Sequence, residues 1–200
     1  GAIPLGVTNT SELCMWMESD NKVYGRTNNP YDLGRIVGGS SGGEGAIVGS
    51  GASPFGLGSD IGGSIRMPAF FNGVFGHKAT GGLVPNSGQF PLAVGENARN
   101  CVTGPLTRRA EDLPLLMRIL AGPDGVCEGA THMPLGDVSS VSLEGLEVLS
   151  VPDDGGRIFV SRDLRDAQTK VERWLTSRGA RVRSFGLRGF RNTSPVCKKF

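Results

Sequence analysis

The chain has 200 residues, 38 % hydrophobic and 20 % charged, with a net charge of +2, which suits a soluble globular protein with a sizeable core. Of its 32 glycines, 16 lie between Gly38 and Gly88, interleaved with Val, Ile, Leu and Phe and without a G-X-Y period, which excludes collagen and a solvated linker. The charge is uneven: residues 161–200 hold 11 Lys+Arg against 3 Asp+Glu, and residues 1–160 hold 10 against 16. A basic tail raises nucleic acid or an anionic membrane as partners. Without aromatic interleaving, Cys/His metal spacing or an RNP-like motif, a solvated helix and strand is the better reading, and no nucleic-acid partner is expected.

In chain order, Ala2–Val7 reads as a short buried strand, with Pro4 pointing to an edge position. Thr10 and Ser11 then cap a helix whose face is Leu13, Met15, Trp16 and Met17, with Glu12 in its first turn. A polar loop from Ser19 to Arg35 precedes G-G-S-S-G-G-E-G at Gly38–Gly45, which leads into a small-residue helix through Ala46, Ile47 and Val48. Pro54–Ser59 is a buried strand running into D-I-G-G-S-I-R at Asp60–Arg66, and Met67–Phe71 opens another helix. Val74–Lys78 begins a second strand, and Thr80–Pro91 is a turn-rich connection.

A helix is expected over Arg109–Ala121, with Leu113, Leu116, Met117 and Leu120 on one face and Gly122-Pro123 as its stop. Val126–Ser140 reads as an exposed loop, Leu146–Val151 as a strand, Arg162–Ser177 as an amphipathic helix and Ala180–Phe185 as a further strand. Strands alternating with helices give an α/β layered fold with a mixed or parallel sheet. Cys14, Cys101, Cys127 and Cys197 lie far apart with no C-x-x-C spacing, and only His77 and His132 could join them. Reduced thiols in a cytosolic setting are therefore expected, with no metal site. No apolar run is long enough to span a bilayer, and the chain opens at Gly1 without Met or a charged leader, so a cut N-terminus is expected.

The chemistry concentrates in the glycine-rich block. Ser64 follows Gly62-Gly63 where a strand gives way to a helix, so its hydroxyl stands on a tight turn among unhindered amides. Converging N–H groups of this kind form an oxyanion hole for acyl transfer. A capped helix on a glycine turn explains the pattern equally well. Gly38–Gly45 lacks the G-K-[ST] ending of a phosphate loop, and Ser64 has no G-x-S-x-G elbow around it. A serine nucleophile needs a base. His77 and His132 read as core or surface histidines, which leaves a neutral lysine with a second serine hydroxyl relaying the proton.

G-G-S-S-G-G at Gly38–Gly43, with Ser64 of D-I-G-G-S-I-R 24 residues after Ser40 and F-G-H-K at Phe75–Lys78, resembles the amidase signature family. Within it, Glu44, Ile61 and Val84–Ala93 (V-P-N-S-G-Q-F-P-L-A) are similar to the fatty-acid amide hydrolases, and the likeness runs from Ala2 to about Phe185. The resemblance implies a Ser–Ser–Lys triad that cleaves fatty-acid amides without a cofactor. Ser64 would be acylated. Ser40, on a cis peptide bond, would shuttle the proton. The amides of Ile61, Gly62, Gly63 and Ser64 would form the oxyanion hole, with Ser41, Asp60 and Arg66 in support.

The catalytic lysine of the family belongs some tens of residues upstream of the serine pair, where this chain offers only Lys22 in a polar loop. The lysine is absent. The chain is accordingly expected to be an internal fragment of one amidase domain, inactive alone, with a serine-rich core over 36–105 and a helix–strand region over 106–200. Its fold would be a partial amidase-signature fold, a mixed sheet layered between helices. The V-C-K-K-F ending does not clearly match the family. Two alternatives stay open: a non-catalytic structural or binding fragment, and an amidase of small amides such as the glutamine-hydrolysing subunit of tRNA amidotransferase. The resemblance further implies a lipid amide substrate and a cytosol-facing membrane or lipid-droplet location through a segment outside this chain. The basic tail would add attraction to lipid or form a helix face in a homodimer.

Overall fold

The computed structural model describes residues 1–153 and 159–186. The V-C-K-K-F ending, with Cys197, Lys198 and Lys199, lies outside the described residues. The chain divides into two compact units, residues 1–136 and 137–200.

In the first unit Ala2–Val7 forms no strand and is exposed along its length. Thr10 and Ser11 open only one 3-10 turn, Glu12–Cys14, because Leu13 (φ 50°) and Cys14 (φ 58°) enter the left-handed region and end it. Ser11 caps nothing; its hydroxyl instead donates to the Trp16 carbonyl and accepts the Trp16 N–H. The expected apolar helix face, Leu13, Met15, Trp16 and Met17, is exposed. The polar loop then carries a two-residue hairpin, β1 (Asp20–Asn21) with β2 (Gly25–Arg26).

The glycine block supplies α1 (Gly42–Gly49), followed by β3 (Phe55–Asp60), α2 (Arg66–Asn72) and β4 (Phe75–Gly76). Gly45 faces Asn72 and Pro68, and Gly49 faces Asn72, so closely that side chains there would crowd α2, and this is why small residues occupy α1. Next come α3 (Glu96–Asn100), β5 (Val102–Thr107) and α4 (Asp112–Leu120). The sheet order is β3-β5-β4, all antiparallel, with Asp60 opposite Val102 and Leu57 opposite Pro105. Its core holds Ile65, Ala69 and Leu106 in one cluster and Ala79, Leu83, Val84, Val102 and Met117 in another.

Neither β5 nor α3 follows from the sequence patterns. V-T-G-P-L-T puts Gly104 and Pro105 in the middle of a central strand, where both residue types weaken a ladder. Tertiary contacts reverse that preference. A Cβ on Gly104 would collide with the His77 carbonyl, and the Pro105 carbonyl accepts the His77 N–H at 3.0 Å.

In the second unit β6 (Glu147–Ser150) pairs in parallel with β7 (Arg181–Ser184), joined through α5 (Arg162–Ser177). Ser161 caps α5 by accepting the Leu164 N–H. The whole is a mixed α/β fold. Among the described residues no helix is long and apolar enough to cross a membrane.

Candidate active site

Two glycine turns build the site. The first, ahead of α1, has no room for side chains: a Cβ on Gly39 would stand 2.6 Å from the Trp16 carbonyl, and one on Gly42 would overlap the Ser19 hydroxyl. The Gly39–Ser40 peptide is cis. Ser40 and Ser41 are buried. Ser19, fully buried beneath the turn, has its hydroxyl 3.0 Å from both the Gly38 and Ser40 carbonyls and accepts the Gly42 N–H at 2.9 Å. Sequence reading left Ser19 in a polar loop, and no local pattern marks it.

The second turn leaves the end of β3. Asp60 is fully buried and gathers the loop around its carboxylate. Oδ1 accepts the Gly63 N–H at 2.8 Å, and Oδ2 accepts those of Ile65 at 3.0 Å and Arg66 at 3.2 Å. The Arg66 guanidinium closes over both oxygens at 2.9 and 3.1 Å, and Lys78 Nζ lies 3.3 Å from Oδ1. Burial by itself would raise the pKa of Asp60, but the hydrogen bonds from Arg66 and the three amides outweigh it and hold the carboxyl well below the usual aspartate range. The charged form is thus the one built in.

Ser41 fastens the turns together. Its N–H donates to the Ser64 carbonyl at 3.1 Å, and its hydroxyl lies within 3.4 Å of the Ser59 N–H and carbonyl. Ser64 itself is half-buried. Among the described residues the Ser40 and Ser64 hydroxyls make no hydrogen bond, nor do the N–H groups of Ile61, Gly62 and Ser64. Of the four amides expected in an oxyanion hole, Gly63 is therefore the exception: its N–H belongs to Asp60, since Gly63 (φ +131°) turns the chain back over the carboxylate.

His77 and His132 are exposed, and Lys22 is exposed in the β1–β2 turn. Lys78 donates to the Ile61 carbonyl at 2.6 Å. Among the described residues no group of acidic, His and Cys side chains could hold a metal ion. A cavity of about 630 Å³ opens in the same unit, lined in part by Val7, Leu13, Cys14, Tyr24, Phe90 and Pro91. The segment that lines it continues into Trp16–Glu18, whose backbone lies against Gly39.

The family model described as Amidase matches residues 1–198. The chain belongs to the amidase family. This amidase chain is 55 % identical over 174 residues to fatty-acid amide hydrolase 2 of Homo sapiens, an overlap of 86 % of the chain and 31 % of that protein. It is 36 % identical over 185 residues to a subunit of the glutamyl-tRNA(Gln) amidotransferase of Prochlorococcus marinus, covering 91 % of the chain and 37 % of the relative. Among solved structures, a fatty acid amide hydrolase aligns with a TM-score of 0.74 and 34 % identity over 94 % of this chain and 33 % of that one. The corresponding glutamyl-tRNA(Gln) amidotransferase protein from Thermotoga maritima aligns at 0.78 and 30 % identity over 89 % and 39 %. The amidase chain therefore spans about a third of the length of the relatives it matches.

Proposed function

We propose that the protein carrying this chain is a serine hydrolase of fatty-acid amides, with Ser64 as nucleophile and Ser40 as proton shuttle. The observation that carries this reading is the Ser41 N–H to Ser64 carbonyl bond at 3.1 Å, which docks the two serine turns against each other. Around Ser64 the amides of Ile61, Gly62 and Ser64 remain as donors for the charge of a tetrahedral intermediate.

In the proposed reaction Ser40 takes the Ser64 proton and passes its own to a neutral lysine. Ser64 Oγ bonds to the amide carbonyl carbon, and the carbonyl oxygen becomes the oxyanion. Collapse breaks the C–N bond as Ser40 returns a proton to the nitrogen, releasing the amine, and water then hydrolyses the acyl-serine. The resemblance puts the lysine upstream of the serine pair, where exposed Lys22 does not fit, and Lys78 is engaged with Asp60 and Ile61, so we assign the base to sequence outside residues 1–200. The 55 % identity to fatty-acid amide hydrolase 2 supports an apolar acyl group, which we propose is presented at a membrane or lipid droplet.

The test is labelling of the full gene product with an alkyl fluorophosphonate, followed by turnover of a long-chain acyl amide against glutamine. Labelling at Ser64 that Ser64→Ala abolishes, with turnover of the acyl amide alone, is the expected result. An unlabelled full-length protein overturns the hydrolase reading, and turnover of glutamine alone overturns the substrate. Residues 1–200 expressed alone are expected to stay unlabelled, because an unactivated serine hydroxyl is a poor nucleophile.

A further inference from the structure

We propose that Lys78 is a positioning residue of the oxyanion hole, acting through the Ile61–Gly62 peptide; the inference rests on the hydrolase reading above. Its side chain, 24 % exposed, donates from Nζ to the Ile61 carbonyl at 2.6 Å and pairs with Asp60 Oδ1 at 3.3 Å.

The Ile61–Gly62 peptide is trans, so its C=O and N–H point in opposite directions. An ammonium fixed on the carbonyl side therefore directs the Gly62 N–H to the opposite side. Packing does not supply this restraint. Gly62 is exposed, a Cβ built on it would meet nothing within 4 Å, and Ile61 is itself exposed. Among the described residues, Lys78 is the partner that the Ile61 carbonyl has.

The neighbouring amides show why the restraint matters. Gly63, Ile65 and Arg66 all donate to Asp60, so their peptide planes are set by a buried carboxylate. Among the described residues Gly62 has no acceptor of its own and keeps its N–H for an incoming oxyanion. Its orientation must come from the carbonyl at the other edge of the same plane. Lys78 supplies that, and Asp60 in turn holds Lys78 in place. One carboxylate thus sets the Gly63 amide directly and the Gly62 amide through a lysine.

The experiment compares the full gene product with its Lys78→Met and Lys78→Leu variants, neither of which can donate to the Ile61 carbonyl. Three quantities are read: the rate of alkyl fluorophosphonate labelling, kcat and KM for an acyl amide, and thermal unfolding. Loss of one oxyanion donor costs roughly 10²–10³ in rate, so a donor left unoriented is expected to lower kcat and labelling about 10–100-fold, with KM held within about two-fold. Lys78→Arg, which can still donate to the carbonyl and pair with Asp60, is expected to recover part of the loss.

A folded Lys78→Met protein that labels as fast as the parent overturns the inference while leaving the hydrolase reading intact. A rise in KM that accounts for the whole loss also overturns it, because that pattern belongs to substrate binding. Where Lys78→Met does not fold, Lys78→Leu carries the same two outcomes. An unlabelled parent overturns the hydrolase reading itself, and the inference with it.

Discussion

The Ser19 hydroxyl lies 3.0 Å from the Ser40 carbonyl, fully buried beneath the turn that carries the proposed proton shuttle. The same oxygen accepts the Gly42 N–H, so one side chain satisfies backbone groups on both sides of Ser40. Ser19→Ala leaves those groups without a partner in a closed space. The expected cost is about 1–3 kcal/mol in urea unfolding. Turnover of amides should fall more than turnover of matched esters, since in the proposed reaction the amine leaving group depends on proton delivery by Ser40. An unchanged unfolding midpoint and an unchanged amide-to-ester ratio would remove Ser19 from the site.

Asp60 makes the first unit sensitive to acid. Its folded pKa lies below the unfolded one, so the folded state binds fewer protons at this group. The stability it contributes is complete above the ordinary aspartate value of about 3.9 and is lost as pH falls through the lower folded value. Melting temperature is expected to drop over that acid range in the parent and to respond less in Asp60→Asn. That variant offers one acceptor oxygen to amides and cations that now share two, and it should be destabilised on the order of 2–3 kcal/mol at neutral pH.

Glu44 behaves in the opposite sense. Burial raises the pKa of its carboxyl, and the Thr8 hydroxyl, donating at 2.9 Å, offsets only part of that. The carboxylate fills the space above Gly56, with no cation bonded to it among the described residues. The folded state therefore binds more protons here, and stability falls as pH rises through the folded value. Glu44→Gln keeps an oxygen for Thr8 and removes the charge. Its melting temperature is expected to exceed that of the parent at pH 7–8 and to vary less as pH rises from the ordinary glutamate range, measured by scanning calorimetry in parallel buffers. A lower melting temperature at pH 8 would contradict this.

The glycines divide into those the fold requires and those it does not. Gly104→Ala would push a methyl group into the His77 carbonyl between β5 and β4 and is expected to destabilise by about 1–3 kcal/mol or more. Gly129 has nothing within 4 Å and an ordinary φ, so Gly129→Ala should leave stability within about 0.5 kcal/mol. Denaturant midpoints of the two variants, measured side by side, check the contrast.

Much of the scaffold was legible in the residues. The amphipathic pattern over Arg162–Ser177 matches the observed ends of α5, and Leu116 and Met117 face inward on α4 as their spacing requires. The small-residue helix and the two tight turns followed from glycine placement, because glycine is where backbone approaches backbone, while the pairing of the serine turns came from the family resemblance. Local pattern misled where the decisive contact is distant. Ala2–Val7 looks like a strand but has no partner strand among the described residues, and Val102–Thr107 looks broken but is the central strand. Ser19 carries no signal of its own, and F-G-H-K marks Lys78 without its contact; they matter because the fold delivers a hydroxyl to the Ser40 turn and an ammonium to the Ile61 carbonyl.

By itself, then, the sequence determined which turns bend and which serines they carry, since those are properties of a few adjacent residues. Only the tertiary structure decided which amides stay available to a substrate. Gly62 and Gly63 are chemically identical neighbours, yet Asp60 accepts one N–H and Lys78 holds the carbonyl beside the other. The direction of a peptide plane is set by what lies across from it, and those partners come from the rest of the fold.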